Sequence, residues 1–266
     1  GGRLRSVRTI GLLGGMSWES SIEYERMLNE GVRERLGGTA SADLIVRSYD
    51  FAAIEDLQAR GDWAAAADLL ASDARRLEAA GADLVLLCTN TMHRVADAIE
   101  AAITVPFVHL ADATALAVSA AGIRRVALLG TQYTMEQDFY RGRLETRGLE
   151  VLVPTEPDRT TVHDVIYDEL VRGVVSPVSR SAYLDVIRRL QDEGAEGVIA
   201  GCTEIELLVG PDDVDLPYFP TTRIHVERAL ELALADDPAA GTDSDGTGAT
   251  PPATDRGPLV TTGFDH

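Results

Sequence analysis

Short apolar runs alternate along this chain with longer amphipathic stretches. Residues 9–13, 44–46, 83–87 and 106–110 read as strands, as do 126–129, 150–153 and 197–200. Near-continuous Val, Ile and Leu over four or five positions suits a strand covered on both faces. The stretches between them carry helical periodicity. Helices are expected at 18–36, with Ser17 as N-cap, at 62–80, stopped by Gly81, at 92–101, and at 113–121, closed by Gly122. Further helices are expected at 135–146, 162–171, 179–193 and 225–235, with a loop or short helix over 50–58. Strands alternating with helices predict an α/β fold with parallel sheets.

The pattern repeats. Ile10-Gly11-Leu12-Leu13-Gly14 has the character of Val126-Ala127-Leu128-Leu129-Gly130, and the chain's two cysteines each close a later strand. Cys88 follows Ile10 by 78 residues and Cys202 follows Val126 by 76. This spacing predicts two pseudo-symmetric parallel-sheet α/β domains, with the active site in the cleft between them. The expected boundaries are an arm over 1–8, whose Gly1-Gly2 resembles a cloning or processing scar, a first domain over 9–112 and a second over 113–221. A helix within 222–236 packs back on the first domain. Residues 237–266 are rich in Gly, Ser, Thr, Pro and Asp, and are expected to be a disordered tail.

Composition narrows the chemistry. The net charge is −19, which argues against nucleic acid as a partner, because phosphate contacts need clustered cations. No run of about 18 apolar residues is present and no signal-peptide core follows the first charges, so a cytoplasmic protein without membrane association is expected. Two cysteines in a chain of 266 residues suggest free thiols rather than a disulfide scaffold. All 24 basic residues are arginine. Without lysine there is no Schiff base to pyridoxal phosphate, no lysine aldolase intermediate and no P-loop. Five scattered histidines, with neither C-x-x-C nor H-E-x-x-H, give no metal site. No cofactor is expected.

In open α/β folds ligands sit at the carboxyl edge of the sheet. Cys88-Thr89-Asn90-Thr91 and Gly201-Cys202-Thr203-Glu204 fall there, each at an expected helix entrance, a setting that lowers a thiol pKa. Buried structural thiols are the competing reading. Gly130-Thr131-Gln132-Tyr133-Thr134 offers free N–H donors for a carboxylate, or an ordinary N-cap. His93 is a proton relay or a helix-surface residue. Two thiols facing one cleft, with no cofactor motif, point to proton removal and return at a carbon beside a carboxylate.

Three segments carry a resemblance: Ile10-Gly11-Leu12-Leu13-Gly14-Gly15-Met16, Cys88-Thr89-Asn90-Thr91-Met92-His93 and Gly201-Cys202-Thr203-Glu204. In this order they resemble the motifs of the aspartate/glutamate racemase family, over roughly residues 9–235. Met16-Ser17-Trp18-Glu19-Ser20, together with the segment from Tyr133 to Tyr140, is most similar to the bacterial broad-specificity amino-acid racemases. The resemblance implies a cofactor-independent two-domain isomerase acting on a small amino acid, with a homodimer as one open assembly. It also implies that Asn90, Thr91, Thr134 and the start of the helix after Cys202 hold the α-carboxylate, with Thr203 or Glu204 taking part and Met16 in the substrate site. Cys202 serves the L-enantiomer.

There is one departure. Typical members read Cys-Asn-Thr in the first motif, so aligning on Asn90-Thr91 places Thr89 at the catalytic position. Adjacent strand residues point to opposite faces, so one of the pair faces substrate; Thr89 is expected, with Cys88 the alternative. Cys202 is then the main base, and the two directions of racemisation are unequal. Gln58 stands near the family's loop Arg and Thr160 or Thr161 near its Lys, with Arg159 and Arg47 as nearby cations. That leans toward neutral polar amino acids over Asp and Glu. The alternatives are a maleate-isomerase or decarboxylase-like enzyme on the same fold, or a non-catalytic small-molecule binding protein.

Overall fold

The computed structural model describes residues 7–235; the expected Gly1-Gly2 scar and the expected tail lie outside the described residues. Eight strands appear: β1 Ile10–Gly14, β2 Leu44–Ser48, β3 Leu84–Leu87, β4 Phe107–Val108, β5 Arg125–Leu129, β6 Glu150–Leu152, β7 Gly197–Ala200 and β8 Tyr218–Pro220. The helices of the first half are α1 Trp18–Leu36, α2 Phe51–Ala59, α3 Trp63–Ala79, α4 Ala96–Glu100 and α5 Leu110–Ala120. Those of the second are α6 Gln132–Glu136, α7 Asp138–Thr146, α8 Asp158–Asp164, α9 Pro177–Asp192, α10 Ile205–Leu208 and α11 Thr221–Ala233.

The strands form two four-stranded sheets of the same order, β2-β1-β3-β4 and β6-β5-β7-β8. Every pairing is parallel. The period of two along each strand sorts the core. Leu13, Val85 and Leu87 face Leu70, Ala74 and Leu77 of α3, while Leu12, Leu84 and Leu86 face Tyr24 and Leu28 of α1 and Val226 and Leu230 of α11. In the second sheet Leu129, Val198 and Ala200 meet Tyr183, Val186 and Leu190 of α9. Its other face packs Val126, Leu128 and Ile199 on Val118 of α5 and Tyr140 of α7. The last helix thus covers the first sheet, as its apolar spacing suggests.

Capping fixes most helix starts. Ser17, Asp50, Asp62, Thr131 and Ser176 each accept a backbone N–H of the first turn. Three expected helices are interrupted. The one over 92–101 opens as a 3-10 turn, Thr91–Val95, before α4. The one over 135–146 starts earlier and breaks where Gln137 turns extended, at φ −95° and ψ 148°. The stretch 162–171 passes from α8 into a π-helical turn, Val165–Glu169, and a 3-10 turn, Leu170–Arg172. The β8 strand was not expected, because its three residues carry no alternation to read. Among the described residues no helix is long and apolar enough to cross a membrane.

Candidate active site

Both sheets present their carboxyl edges to one cavity of about 410 Å³. Its walls come from the β1–α1 turn (Met16, Ser17), from the start of α1 (Ser20), from α2 (Phe51, Glu55, Gln58), and from the segment after β3 (Thr89, Asn90, Thr91). The second half adds Thr131 before α6, the π and 3-10 turns (Ile166, Tyr167, Asp168, Val171, Arg172), and Gly201-Cys202-Thr203-Glu204 after β7.

The repeat can be aligned hydrogen bond by hydrogen bond. Leu13 pairs with Leu87, and Leu129 with Ala200. One residue on, the Cys88 N–H donates to the Leu13 carbonyl at 2.9 Å and the Gly201 N–H to the Leu129 carbonyl at 2.7 Å. Cys88 therefore corresponds to Gly201, and Thr89 to Cys202. A side chain at Gly201 would put its Cβ 2.8 Å from the Leu129 carbonyl oxygen, so glycine is required there. The Cys88 side chain is fully buried in the core formed by α1 and α11. Thr89 and Cys202 both line the cavity.

The electrostatics of the thiols correct an expectation. Neither thiol ends up lowered: the backbone N–H groups of Thr203 and Glu204 favour the Cys202 thiolate but are outweighed, and Cys88 meets only a 3-10 turn. Burial pushes the Cys88 thiol up, with a small contribution from Glu25. Burial likewise pushes Cys202 up, reinforced by the negative charge of Glu204. The Cys202 Sγ–H donates to Glu204 Oε2 at 2.8 Å, so the thiol has a proton acceptor beside it.

Of the other expected site residues, Met16, Gln58, Asn90, Thr91, Thr203 and Glu204 lie in the cavity wall. Gln58 Nε2 donates to the Met92 sulfur at 3.1 Å. Two do not reach the cavity. Thr134 is fully buried and packs under Gly130 and Gly201; its hydroxyl contacts Thr131 at 3.2 Å. Thr131 in turn lies 3.4 Å from the Thr91 hydroxyl, so Thr134 stands one layer behind. Arg159 is held away by Glu136 and Glu156, at 2.8 and 3.2 Å. Arg47 is committed to Asp73 and stacks on Tyr49.

His93 is neither of the two roles expected of it. It is buried; its Nε2 accepts the Leu110 N–H at 3.2 Å, so Nδ1–H donates to the Thr89 carbonyl at 2.7 Å. It braces the Thr89 turn. His109 lies 4.6 Å and His225 6.0 Å away between ring centres. Burial lowers all three, His109 to about 3 and His225 to about 4.

Phe51, Glu55, Tyr167, Asp168 and Arg172 are wall residues that the motifs did not mark. Ser17, Ser20 and Thr131, also in the wall, lay inside motifs: Ser17 and Ser20 without an assigned contact beyond the Ser17 cap, and Thr131 in the segment read as a carboxylate site or an ordinary N-cap. The π-turn residues had no readable signal.

The sequence pattern of the Asp/Glu/Hydantoin racemase family matches residues 13–229. A Yersinia pestis protein assigned as an Asp/Glu racemase is 52% identical, with a TM-score of 0.83 over 86% of this chain and 100% of that one. An aspartate racemase homologue from Pyrococcus horikoshii is 35% identical, with a TM-score of 0.76 over 85% of this chain and 99% of that one. The broad specificity amino-acid racemase RacX of Bacillus subtilis is 20% identical over 60% of this chain and 69% of its own length. With the two-sheet α/β architecture and the shared carboxyl-edge cavity, these matches place the chain in the Asp/Glu/hydantoin racemase family of isomerases.

Proposed function

We propose that this protein racemises amino acids at Cα without a cofactor, using Cys202 on one face of the substrate and Thr89 on the other. The observation that carries this reading is the equivalence of Thr89 and Cys202 at the two sheet edges, both opening on one cavity. Proton removal and return from opposite faces inverts a centre, and it needs two groups so disposed. Glu204 takes the Cys202 proton; the thiolate then removes the Cα proton of the L-enantiomer, and the electron pair is held by the adjacent carboxylate. A solvent proton relayed through Thr89 reaches the opposite face, and Glu204 releases its proton to solvent, which restores the starting thiol and carboxylate. The reverse direction starts from a hydroxyl, which supplies almost no anionic base near neutral pH. D-substrates therefore turn over more slowly at saturation, with kcat/KM equal in the two directions because the enantiomers have equal energy.

Specificity follows from charge. The wall carries three carboxylates, Glu55, Asp168 and Glu204, against one guanidinium, Arg172, and Gln58 offers a neutral amide. A second carboxylate on the substrate meets net repulsion there. Neutral polar amino acids fit best, within a broad range. The test is Cα deuterium wash-in from D2O over a panel of L-amino acids, with chelator present and no cofactor added. Exchange fastest with neutral polar members supports the reading. Maleate conversion or CO2 release without exchange, or ligand-induced stabilisation without exchange, overturns it.

A further inference from the structure

We propose that His93 is a positioning residue for the reaction: it fixes the Thr89 backbone so that Thr89 can return a proton to the face opposite Cys202. The proposal rests on the racemase reading of the cavity. Both hydrogen bonds of the imidazole have a set direction. The Leu110 N–H can only donate, so His93 Nε2, 3.2 Å away, accepts it and carries no proton. The proton of the neutral ring is then on Nδ1, which lies 2.7 Å from the Thr89 carbonyl oxygen. A carbonyl can only accept, so the two contacts agree on one tautomer. The ring is buried and kept neutral there; an imidazolium would set an N–H against the Leu110 N–H.

The second edge holds its turn by backbone alone. There the Ile205 N–H donates to the Cys202 carbonyl at 3.2 Å, and the Glu206 N–H to the Thr203 carbonyl at 3.3 Å. The first edge keeps the second bond of that series, from the His93 N–H to the Asn90 carbonyl at 3.0 Å. Its Thr89 carbonyl is served by the imidazole instead. The same ring ties the turn to the second half of the chain. Leu110 is the first residue of α5, and its N–H is one that a helix start leaves unpaired. His109 takes the Ala111 N–H at 3.1 Å. His93 thus spans from the Thr89 carbonyl to a helix packed in the core with Tyr140 and Leu144 of α7.

The peptide plane after Thr89 turns with its carbonyl, and turning it carries Thr89 off its place in the cavity wall. A displacement of about 1 Å can cost roughly 10²-fold in a transfer that depends on alignment. The loss falls on one route only. From an L-substrate, Cys202 takes the Cα proton and the electron pair stays in the carbanion beside the carboxylate. In D2O, deuterium then arrives through Thr89 and gives the D-enantiomer, or through the Cys202 thiol, exchanged with solvent by way of Glu204, and gives labelled L. Without the His93 donor the outcome shifts from inversion to retention.

The experiment follows the full chain in D2O with the L-amino acid that exchanges fastest, and separates labelled L from the D-enantiomer at early times by chiral chromatography with mass detection. His93→Asn and His93→Gln are the discriminating pair. The Asn amide stands where Nδ1 stands and keeps a donor for the Thr89 carbonyl. The longer Gln amide reaches the Nε2 position and keeps an acceptor for the Leu110 N–H. Each leaves one buried backbone group unpaired, so both should lose comparable stability in thermal melts. His93→Gln should raise the ratio of labelled L to D-enantiomer roughly 10-fold or more, and His93→Asn should keep the wild-type ratio. An unshifted ratio in His93→Gln, or a ratio that moves equally in both variants, would overturn the assignment and leave the racemase reading standing. A wild type that exchanges no Cα proton would overturn both. One check uses the wild type alone: long-range proton–nitrogen NMR should show the His93 proton on Nδ1, and a proton on Nε2 would overturn the proposal.

Discussion

The two sheet edges are built to one plan and finished differently. At the second, the residue that closes the strand is Gly201, whose Cβ would strike the Leu129 carbonyl, and the next residue delivers a thiol with a carboxylate beside it. At the first, the closing position admits a side chain, and Cys88 fills it by pointing into the core. The next residue delivers a hydroxyl, and behind it stand three buried neutral histidines, one of which grips the Thr89 carbonyl. A thiol one residue away is not a substitute for a thiol in place, because adjacent positions face opposite sides. The first edge is thus the stiffly braced one and presents a hydroxyl. The second presents a thiol with a carboxylate acceptor beside it.

The hardest break in this comparison is at Cys202. Cys202→Ala should lower Cα exchange by about 10³-fold or more, within and above the usual yield of a general base, with the melting temperature within a few degrees of wild type. The check is initial-rate deuterium wash-in. Exchange at wild-type rate would end the mechanism.

The histidines sharpen the comparison through stability. Folded His109 and His225 titrate near 3 and 4, against about 6.5 in the unfolded chain. Above about pH 6.5 both states are neutral and the native fold loses nothing. As pH falls below that, the unfolded chain binds protons that the folded one refuses, so stability drops steadily toward the folded values. His225, fully buried, should account for about 3 kcal/mol of loss by pH 4. Urea titrations at stepped pH measure it, and His225→Gln should flatten the slope. A stability that does not change between pH 7 and 5 would contradict the neutral cluster.

Repairing the weaker edge should have a smaller effect. Thr89→Cys places a thiol on the proposed second face and should raise the saturated rate of Cα exchange from D-substrates about tenfold, with little gain in the saturated rate from L, because a thiol ionises far more readily than a hydroxyl. Separate wash-in rates from each enantiomer decide it; equal gains in both directions would mean that Thr89 and Cys202 do not address opposite faces.

Much of this arrangement was legible in the residues. Four-residue apolar runs ending in Cys88 and Gly201-Cys202 located both edges, and the spacing from Ile10 and Val126 exposed the repeat; the choice between Cys88 and Thr89 was harder to read, because strands buried on both faces carry no alternation. The wall contributed by Tyr167, Asp168 and Arg172 was hidden, since a π turn inserts a residue that no 3.6-residue period announces. Thr134 and Arg159 were misplaced for different reasons. Thr134 is drawn beneath two glycines whose missing side chains make room for it, and Arg159 is captured by two carboxylates that lie near it only after folding. The expectation of acidified thiols failed because burial and the Glu204 charge outweigh the backbone N–H groups of Thr203 and Glu204 at Cys202, and burial alone dominates at Cys88.

The role of Glu204 can be tested on that same point. In Glu204→Gln the negative charge that holds the Cys202 thiol up is gone, so the thiol should titrate lower, and the acid limb of kcat/KM for L-substrates, where Cys202 acts as base, should move to lower pH. The loss of the proton acceptor should also reduce the maximal rate several-fold. Rates of iodoacetamide alkylation against pH report the thiol directly; a profile that coincides with wild type would remove Glu204 from the mechanism.

The smallest effect belongs to Cys88, the alternative that residue type alone favours over Thr89. Cys88 is fully buried among Leu84, Leu86, Val108 and the inner face of α11, and its raised thiol is a consequence of that burial. Cys88→Ala removes one buried sulfur atom and leaves a void smaller than a leucine-to-alanine change does. The cost should be about 1 kcal/mol, or a few degrees in Tm, with Cα exchange kept within about twofold of wild type. Cys88→Ser should cost more stability than Cys88→Ala despite its closer size, because it buries a hydroxyl in an apolar setting. That ordering would mark Cys88 as a core residue. If instead Cys88→Ala folds normally and exchanges no deuterium, the reactive group of the first edge is the thiol, and the equivalence of Thr89 with Cys202 has no catalytic meaning.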